Sequence, residues 1–455
     1  MIERGSGAFV QPGGGCRPVA PPVALYVHVP FCLSLCPYCD FVVYAGAIAR
    51  GPRSRLAAYL AALGTELDLR AGALDAAFGP PAAAAPGDAA PVHGEPGRDA
   101  TGRDATGPAA LAAEDAGRPP LESLYLGGGT PSLLPAEAVG GIVDRVARRY
   151  GLARGAEVTL EANPGPDDRG DLAGFAGAGV NRVSFGAQSM DPAALRALGR
   201  RHAPEDVAEA VGAARAAGIR EVNLDLLYDV PGQSLDRWTS TLEAAVALGP
   251  DHLSLYALTL DDPDAEGLTG PEGDHLPTPP GARRWRERAR GGQDEDRAAA
   301  AYGLADALLA EAGYAWYELS NWAGPGRESR HNLAYWTRRP YEAVGPGAHA
   351  FDGATRRWNA ARLNGWLGAL HPPDGSAPRF PPGGSEAIDP ATARAEALIL
   401  GLRTAAGVAR EDALTQPDAL AWAAEAGLVE VAPGDRVRLT LRGRLLSNEV
   451  FARLL

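Results

Sequence analysis

Lysine is missing altogether: among 455 residues, all 43 basic side chains are arginine. Alanine, glycine and proline are abundant beside it, a bias that GC-rich coding explains, so arginine richness carries no functional weight. A basic balance is missing too. The formal charge of −13 excludes a broad cationic surface for duplex nucleic acid and leaves room only for a local patch. No apolar run approaches the roughly 18 residues of a membrane helix, and the start of the chain lacks the apolar core of a signal peptide. The expectation is a cytoplasmic protein without a transmembrane segment, free at most to touch a membrane peripherally. Cysteine is scarce, with only Cys16, Cys32, Cys36 and Cys39, and three of these four fall close together. A disulfide framework needs partners spread through the fold, so this grouping points instead to a metal or a cluster.

Length is not lacking, and suffices for two or three domains. Residues 1–20 are rich in Gly and Pro without periodicity and are expected to form a flexible tail, with Cys16 a bystander in it. Ala24 to Val29 has a buried-strand pattern that ends at Pro30, and Arg55 to Leu69 shows helical spacing. Residues 79–120 interrupt this with Ala, Gly, Pro and the tandem GRDATGRDATG, and with no apolar face they are expected to be a disordered insertion. Strands are then expected at 123–126, 157–161, 182–185, 219–227 and 252–258, with helices between them. Six strands alternating with helices argue for a parallel α/β core over 21–260, as an open sheet or a partial barrel. Residues 261–385 are expected to extend that core, with one helix at 298–312. Helices and two short strands in 386–455 resemble a small winged-helix module, and the acidic charge argues for an interaction or lid role there rather than DNA contact.

The sharpest chemical signal is CLSLCPYC, Cys32 to Cys39, directly after the first strand. Three thiolates can hold three irons of a four-iron cluster, whereas a ferredoxin site needs a fourth cysteine. One iron would then stay open to an outside ligand, like a catalytic metal with an unfilled position. The competing reading is structural zinc with His28 as fourth ligand, although a strand fixes the face to which His28 projects. GGGTPS, Gly127 to Ser132, follows the second strand, where glycines would let backbone N–H groups approach a charged ligand with no Cβ in the way. Glu161, Gln188, Arg200 and Asp225 lie at or beyond the ends of later strands, the rim at which parallel α/β folds place their sites. Singly each would be a cap or a surface charge; their shared rim raises the functional reading.

The Cys motif with Tyr38 before its last cysteine is the signature of the radical S-adenosylmethionine superfamily. Together with YVHVPFCLSLCPYCDF, GGGTPS, EANPG, GVNRVSFGAQS, LGRRH and NLDLLYDVPGQ, it makes the chain similar to the coproporphyrinogen III oxidase-like branch, and within it to the heme chaperones of the HemW family. The resemblance implies a partial (β/α)6 barrel with a C-terminal α+β winged-helix-like domain. It also implies a 4Fe-4S cluster on Cys32, Cys36 and Cys39, and S-adenosylmethionine held by Tyr26, Tyr38, Gly128, Gly129, Thr130, Glu161, Gln188, Arg200 and Asp225. In that superfamily an electron from the cluster breaks the sulfonium bond of S-adenosylmethionine to give a 5′-deoxyadenosyl radical.

Two features choose within the branch. The oxygen-independent coproporphyrinogen oxidases carry a further cysteine two residues after the third, where this chain has Phe41. HNLAYW, His331 to Trp336, is similar to the heme-linked HNxxYW signature. His331 would offer an imidazole to heme iron beside Asn332, and Tyr335 and Trp336 a flat apolar surface, with His349 as another axial candidate. In the competing reading His331 and Asn332 cap a turn and the aromatics are core. The expected function is a heme chaperone with heme as cargo, heme-accepting proteins and a reductant as partners, and no nucleic acid. A porphyrin-synthesis enzyme, oxygen-independent coproporphyrinogen III dehydrogenase, is the alternative, and a zinc-stabilised interaction protein a third.

Overall fold

Side chains alternate along the central strands with period two, as a pleated strand requires, and the alternation sorts polar from apolar. Ser184 on Arg182–Gln188, Asn223 and Asp225 on Glu221–Tyr228, and His252 and Ser254 on His252–Ala257 face one large cavity. Their neighbours Val183, Phe185, Val222, Leu224, Leu253 and Leu255 are buried in the hydrophobic core on the other face. A computed structural model describes residues 18–51, 53–82 and 117–455 of the chain. Cys16, most of the expected tail and residues 83–116 of the expected insertion lie outside the described residues.

Six parallel strands run in sequence order: β1 (Ala24–Val29), β2 (Leu121–Gly128), β3 (Leu152–Ala162), β4 (Arg182–Gln188), β5 (Glu221–Tyr228) and β6 (His252–Ala257). Helices α1 (Leu56–Phe78) and α2 (Ala136–Tyr150) cover the outer face, where Tyr59, Leu63 and Leu67 join Val139 and Val146 in the core. Burying each large apolar side chain there contributes about 1.5–3 kcal/mol, so Leu63→Ala would cost about 2–5 kcal/mol with its cavity.

The sheet is open and wider than the sequence pattern foresees, with 12 strands. Tyr341–Val344 adds in parallel beside β1, then His349–Phe351, Thr355–Asn359 and Gly383–Ala387 continue antiparallel. Asn321–Ala323 and Ala315–Glu318 extend the β6 side. These six strands of three to five residues were invisible to the sequence reading, because runs this short carry no resolvable period. The expected helix at 55–69 continues to Phe78, and the strand expected at 157–161 begins at Leu152.

The expected disorder of 79–120 needs correction at its margins. Pro81 and Arg118 pair as a parallel bridge, and Arg118, 3% exposed, binds Asp75 and the carbonyls of Gly79 and Arg149. At the far end, Val408–Ala409, Arg436–Leu439 and Val429–Ala432 form a three-stranded sheet. With Leu398, Leu402 and Leu428 it builds a separate small core. The chain closes on two short helices, Leu441–Leu445 and Ser447–Phe451, broken at Leu446.

Candidate cluster and cofactor site

β1 ends at Val29, and Phe31–Cys32 pairs in parallel with Tyr44–Ala45, so the segment with Cys36 and Cys39 is a loop closed at its neck. Three cysteines leave that loop toward the cavity lined by the inward row of the sheet, about 1550 Å³ in volume. Cys32 Sγ lies 3.1 Å from Thr130 Oγ1, and Arg200 Nη1 donates to Cys36 Sγ at 3.4 Å. Burial pushes the Cys32 thiol up to about 11, partly offset by the Thr130 hydroxyl. Burial and then the neighbouring Cys36 and Cys32 sulfurs push Cys39 higher still. Burial thus disfavours the thiolate at Cys32 and Cys39, and a cationic centre among the sulfurs would offset that cost.

Among the described residues no three His, Cys, Asp or Glu side chains gather tightly enough to hold one ion. The thiols of a four-iron cluster each take a different iron and stand further apart than the ligands of one ion, so a cluster does not require them to gather at one point. The zinc reading fails on His28 as well: its Nε2 lies 2.8 Å from Val42 O and its Nδ1 3.1 Å from Tyr26 Oη, and burial lowers it to about 4.

Beside the thiols the cavity is acidic. Glu161 accepts from Gly128 N and Tyr125 Oη, both at 2.8 Å. Burial and then the Asp225 carboxylate push its carboxyl up to about 7. Asp225 accepts from Ser184 Oγ at 2.9 Å and Asn223 Nδ2 at 2.8 Å, and burial raises it too. Among the described residues neither carboxylate is hydrogen-bonded to a cationic side chain, and Arg182 lowers Asp225 only in part, so a ligand with ammonium or sulfonium charge would offset both. Arg200 Nε is buried without an acceptor, and Gln188 sits at φ +64°, in the left-handed region, at the end of β4. The residues present therefore fit an S-adenosylmethionine-sized cationic ligand and a cluster.

The role expected for the glycines is different in the structure. A Cβ on Gly128 would lie 2.3 Å from the His28 ring, and one on Gly129 2.7 Å from Phe31 O. Both glycines are needed so that the turn can pack on β1 and the cysteine strand, with Gly128 at φ +108°. Cys32, Cys36, Cys39, Tyr38, Gly128, Gly129, Thr130, Glu161, Gln188, Arg200 and Asp225 all line this one cavity.

The remaining candidates fall elsewhere. Asn332 lines the same cavity, but Tyr26, Tyr335, Trp336 and His349 line a second one. His331 lines neither. It is 1% exposed, with Nδ1 2.9 Å from Ser123 Oγ and Nε2 2.8 Å from Tyr335 Oη, and burial lowers it to about 3. The expectation that His331 presents a free imidazole to iron is corrected: both nitrogens are occupied, and the ring braces Tyr335. Sequence reasoning missed Asn163, whose amide joins Thr130, Asp168 and Arg200, although EANPG contains it. It also missed Asp274 and His275, which lie in a segment without periodicity.

Comparison with known proteins places this geometry. Residues 90–245 match the model of the Radical SAM superfamily, a span that begins after the cysteine motif. A heme chaperone HemW of Mycobacterium tuberculosis is 36% identical over 436 residues, 95% of each chain. The chain belongs to the HemW heme chaperone family. The Escherichia coli heme chaperone HemW is 33% identical across 72% of this chain and 70% of its own. The solved Escherichia coli coproporphyrinogen III oxidase (HemN), a radical SAM enzyme, superposes with a TM-score of 0.69 at 20% identity, covering 96% of this chain and 91% of its own, which shows a shared fold. Membership in the radical SAM superfamily implies a 4Fe-4S cluster and S-adenosylmethionine, which the thiols and the acidic cavity fit. No described helix is long and apolar enough to cross a membrane.

Proposed function

We propose that this protein is a heme chaperone: it binds heme, keeps a 4Fe-4S cluster and S-adenosylmethionine close by, and passes heme to acceptor proteins. The observation that carries this reading is the second cavity, walled by aromatic rings and meeting the cluster cavity only at Asp40 and Phe41. A flat apolar cargo and a charged cofactor thus have separate seats. The names of the full-length relatives support the same reading.

In this assignment Cys32, Cys36 and Cys39 hold three irons. Thr130 and Arg200 fix two of the sulfurs, Glu161 and Asp225 offset the positive charge of S-adenosylmethionine, and Gln188 and Tyr38 line its seat. A reduced cluster, when bound, supplies single electrons, so a reductant is a required partner. Tyr335 and Trp336 offer ring faces to the porphyrin. Phe41 stands where the oxidase branch, by the resemblance, carries another cysteine.

Anaerobically reconstituted protein should bind hemin with a Soret band and release it to a heme-free globin. It should form no protoporphyrinogen from coproporphyrinogen with S-adenosylmethionine and reductant. Robust turnover in that assay would replace the carrier by the dehydrogenase, and absence of a Soret change would overturn it directly.

A further inference from the structure

The second cavity has a volume of about 530 Å³, within the roughly 300–1,000 Å³ of small-molecule sites. It opens between the helix Arg330–Trp336, the strand His349–Phe351 and the loop that carries Asp274 and His275. Phe41, Tyr335, Trp336, Tyr341 and Phe351 give it aromatic walls. Trp336 Nε1 is buried with no acceptor among the described residues. Arg338 and Arg356 stand on the wall as its two cations, leaning on Glu396 at 3.0 and 2.8 Å.

At one side lies a pair of imidazoles on a single carboxylate. Asp274, 6% exposed, takes His275 Nδ1 at 3.0 Å on one oxygen and His349 Nε2 at 3.1 Å on the other. His275 Nε2 takes part in none of the described hydrogen bonds, and nor does His349 Nδ1. A carboxylate on one ring nitrogen fixes the tautomer and strengthens the other as a metal ligand. Nε2 is the less hindered of the two free nitrogens, because Nδ1 adjoins the carbon that bears Cβ. Two imidazoles are too few to hold a bare ion, but a porphyrin brings four nitrogens and asks the protein for only one or two.

We infer that this cavity seats an iron porphyrin, with His275 Nε2 as axial ligand, Asp274 as the residue that positions it, and His349 as the second imidazole on the same carboxylate. The inference rests on the heme-carrier reading and adds to it the iron ligand and the place. The porphyrin's carboxylates would meet Arg338 and Arg356, and its ring the faces of Tyr335 and Trp336. His331, behind Tyr335, then acts through packing.

The test titrates hemin and iron-free protoporphyrin into the full-length, cluster-loaded chain and into its variants, reading Soret position, fluorescence quenching and thermal midpoint. His275→Ala should move the Soret band and weaken hemin binding about ten-fold or more, with added imidazole restoring the band, while protoporphyrin affinity stays within about two-fold. Asp274→Asn should weaken hemin about ten-fold. His331→Ala should lower the thermal midpoint and leave the Soret position unchanged. A wild-type chain that binds no hemin would sink the carrier reading itself. Hemin binding that survives the His275→Ala/His349→Ala double variant with an unmoved Soret band would overturn this site and leave the carrier reading standing. A folded His275→Ala variant that imidazole does not rescue would overturn the ligand assignment.

Discussion

Around the cluster, side chains reach the cavity by strand alternation and short motifs; around the aromatic cavity, they come from a helix, the strands added beside β1, an irregular loop and the segment after Cys39. The first cavity is floored by the hydrogen-bonded row Asp225, Ser184, Asn223 and His252 on three adjacent core strands, which Tyr317 on the edge strand continues behind the cavity. The second is packed by rings, with Tyr335 against Tyr341 at a centroid distance of 4.5 Å and Tyr341 against Phe351 at 6.3 Å. The difference teaches where each chemistry is stored. Charge for a soluble cofactor sits on the rigid parallel sheet, and the apolar seat sits on the elements added at its edge.

The largest effect should come from separating the two seats. Replacing Cys32, Cys36 or Cys39 with Ala should abolish iron and sulfide content and the charge-transfer absorption of the cluster, while hemin still binds, because no cysteine lines the aromatic cavity. Cys16→Ala should leave the cluster in place. Loss of hemin binding together with the cluster would show one composite site instead of two.

The second test uses opposite signs of proton linkage. Glu161 has a folded value of about 7 against 4.5 unfolded, so the folded state takes up the proton first and the charged carboxylate costs stability as pH rises through 7. Glu161→Gln can still accept from Gly128 N and donate to Tyr125 Oη, so at pH 8 the cofactor-free chain should hold or gain on the order of 1–3 kcal/mol. Its S-adenosylmethionine affinity should fall about ten- to hundred-fold by equilibrium dialysis. A variant that is destabilised and binds normally would remove Glu161 from the site.

On the aromatic side the sign reverses. Burial lowers His28 to about 4 and His331 to about 3, below the 6.5 of a free imidazole, so their contribution is complete above about pH 6.5 and is lost as pH falls toward those values. At pH 4.5 each should have cost on the order of 2 kcal/mol, visible as a lower urea midpoint. His331→Gln should flatten that acid limb, and an unchanged limb would mean that the ring is not held neutral.

A smaller effect separates the insertion from its base. Removing residues 83–116 with a short glycine bridge should change stability by only about 1 kcal/mol, whereas Arg118→Ala, which leaves Asp75 to Arg149 alone and strands two carbonyls, should cost about 2 kcal/mol. Urea unfolding of both variants distinguishes them. Equal losses would show that the segment itself adds packing.

The two cavities also differ in how far they could be seen in advance. CLSLCPYC, GGGTPS and EANPG are local, so the cluster side was legible, and the alternation in RVSFGAQ, NLDLLY and HLSLYA carried the polar floor as well. The aromatic side was half legible. HNLAYW marked a helix on the cavity wall, but His331 and Tyr335, four residues apart on one helix face, bond to each other, with His331 buried against Ser123 on β2 while Tyr335 and Trp336 reach the cavity. Asp274 and His275 become neighbours of His349 only through a tertiary fold that brings distant segments together, and no local pattern encodes that. The strands of 315–387 were lost for the same reason, since each is defined by its partner more than by its own period.

Phe41 provides the finest test, because it is the one aromatic on both walls. Its side chain is 62% exposed, so Phe41→Ala should shift stability by only about 0.5 kcal/mol. A porphyrin seated in the second cavity would cover that ring, and an aromatic contact of about 1 kcal/mol corresponds to a roughly five-fold weaker hemin affinity. Phe41→Tyr keeps the ring and should bind hemin as the parent does. Cluster absorption and S-adenosylmethionine affinity should be unmoved in both variants, because Cys39 is held on the other side of Asp40, with its backbone carbonyl accepting from Arg286 Nη2 at 2.9 Å. If Phe41→Ala weakened S-adenosylmethionine as much as hemin, the shared wall would act as a single seat and the division between the two cavities would fail at the residue where they meet.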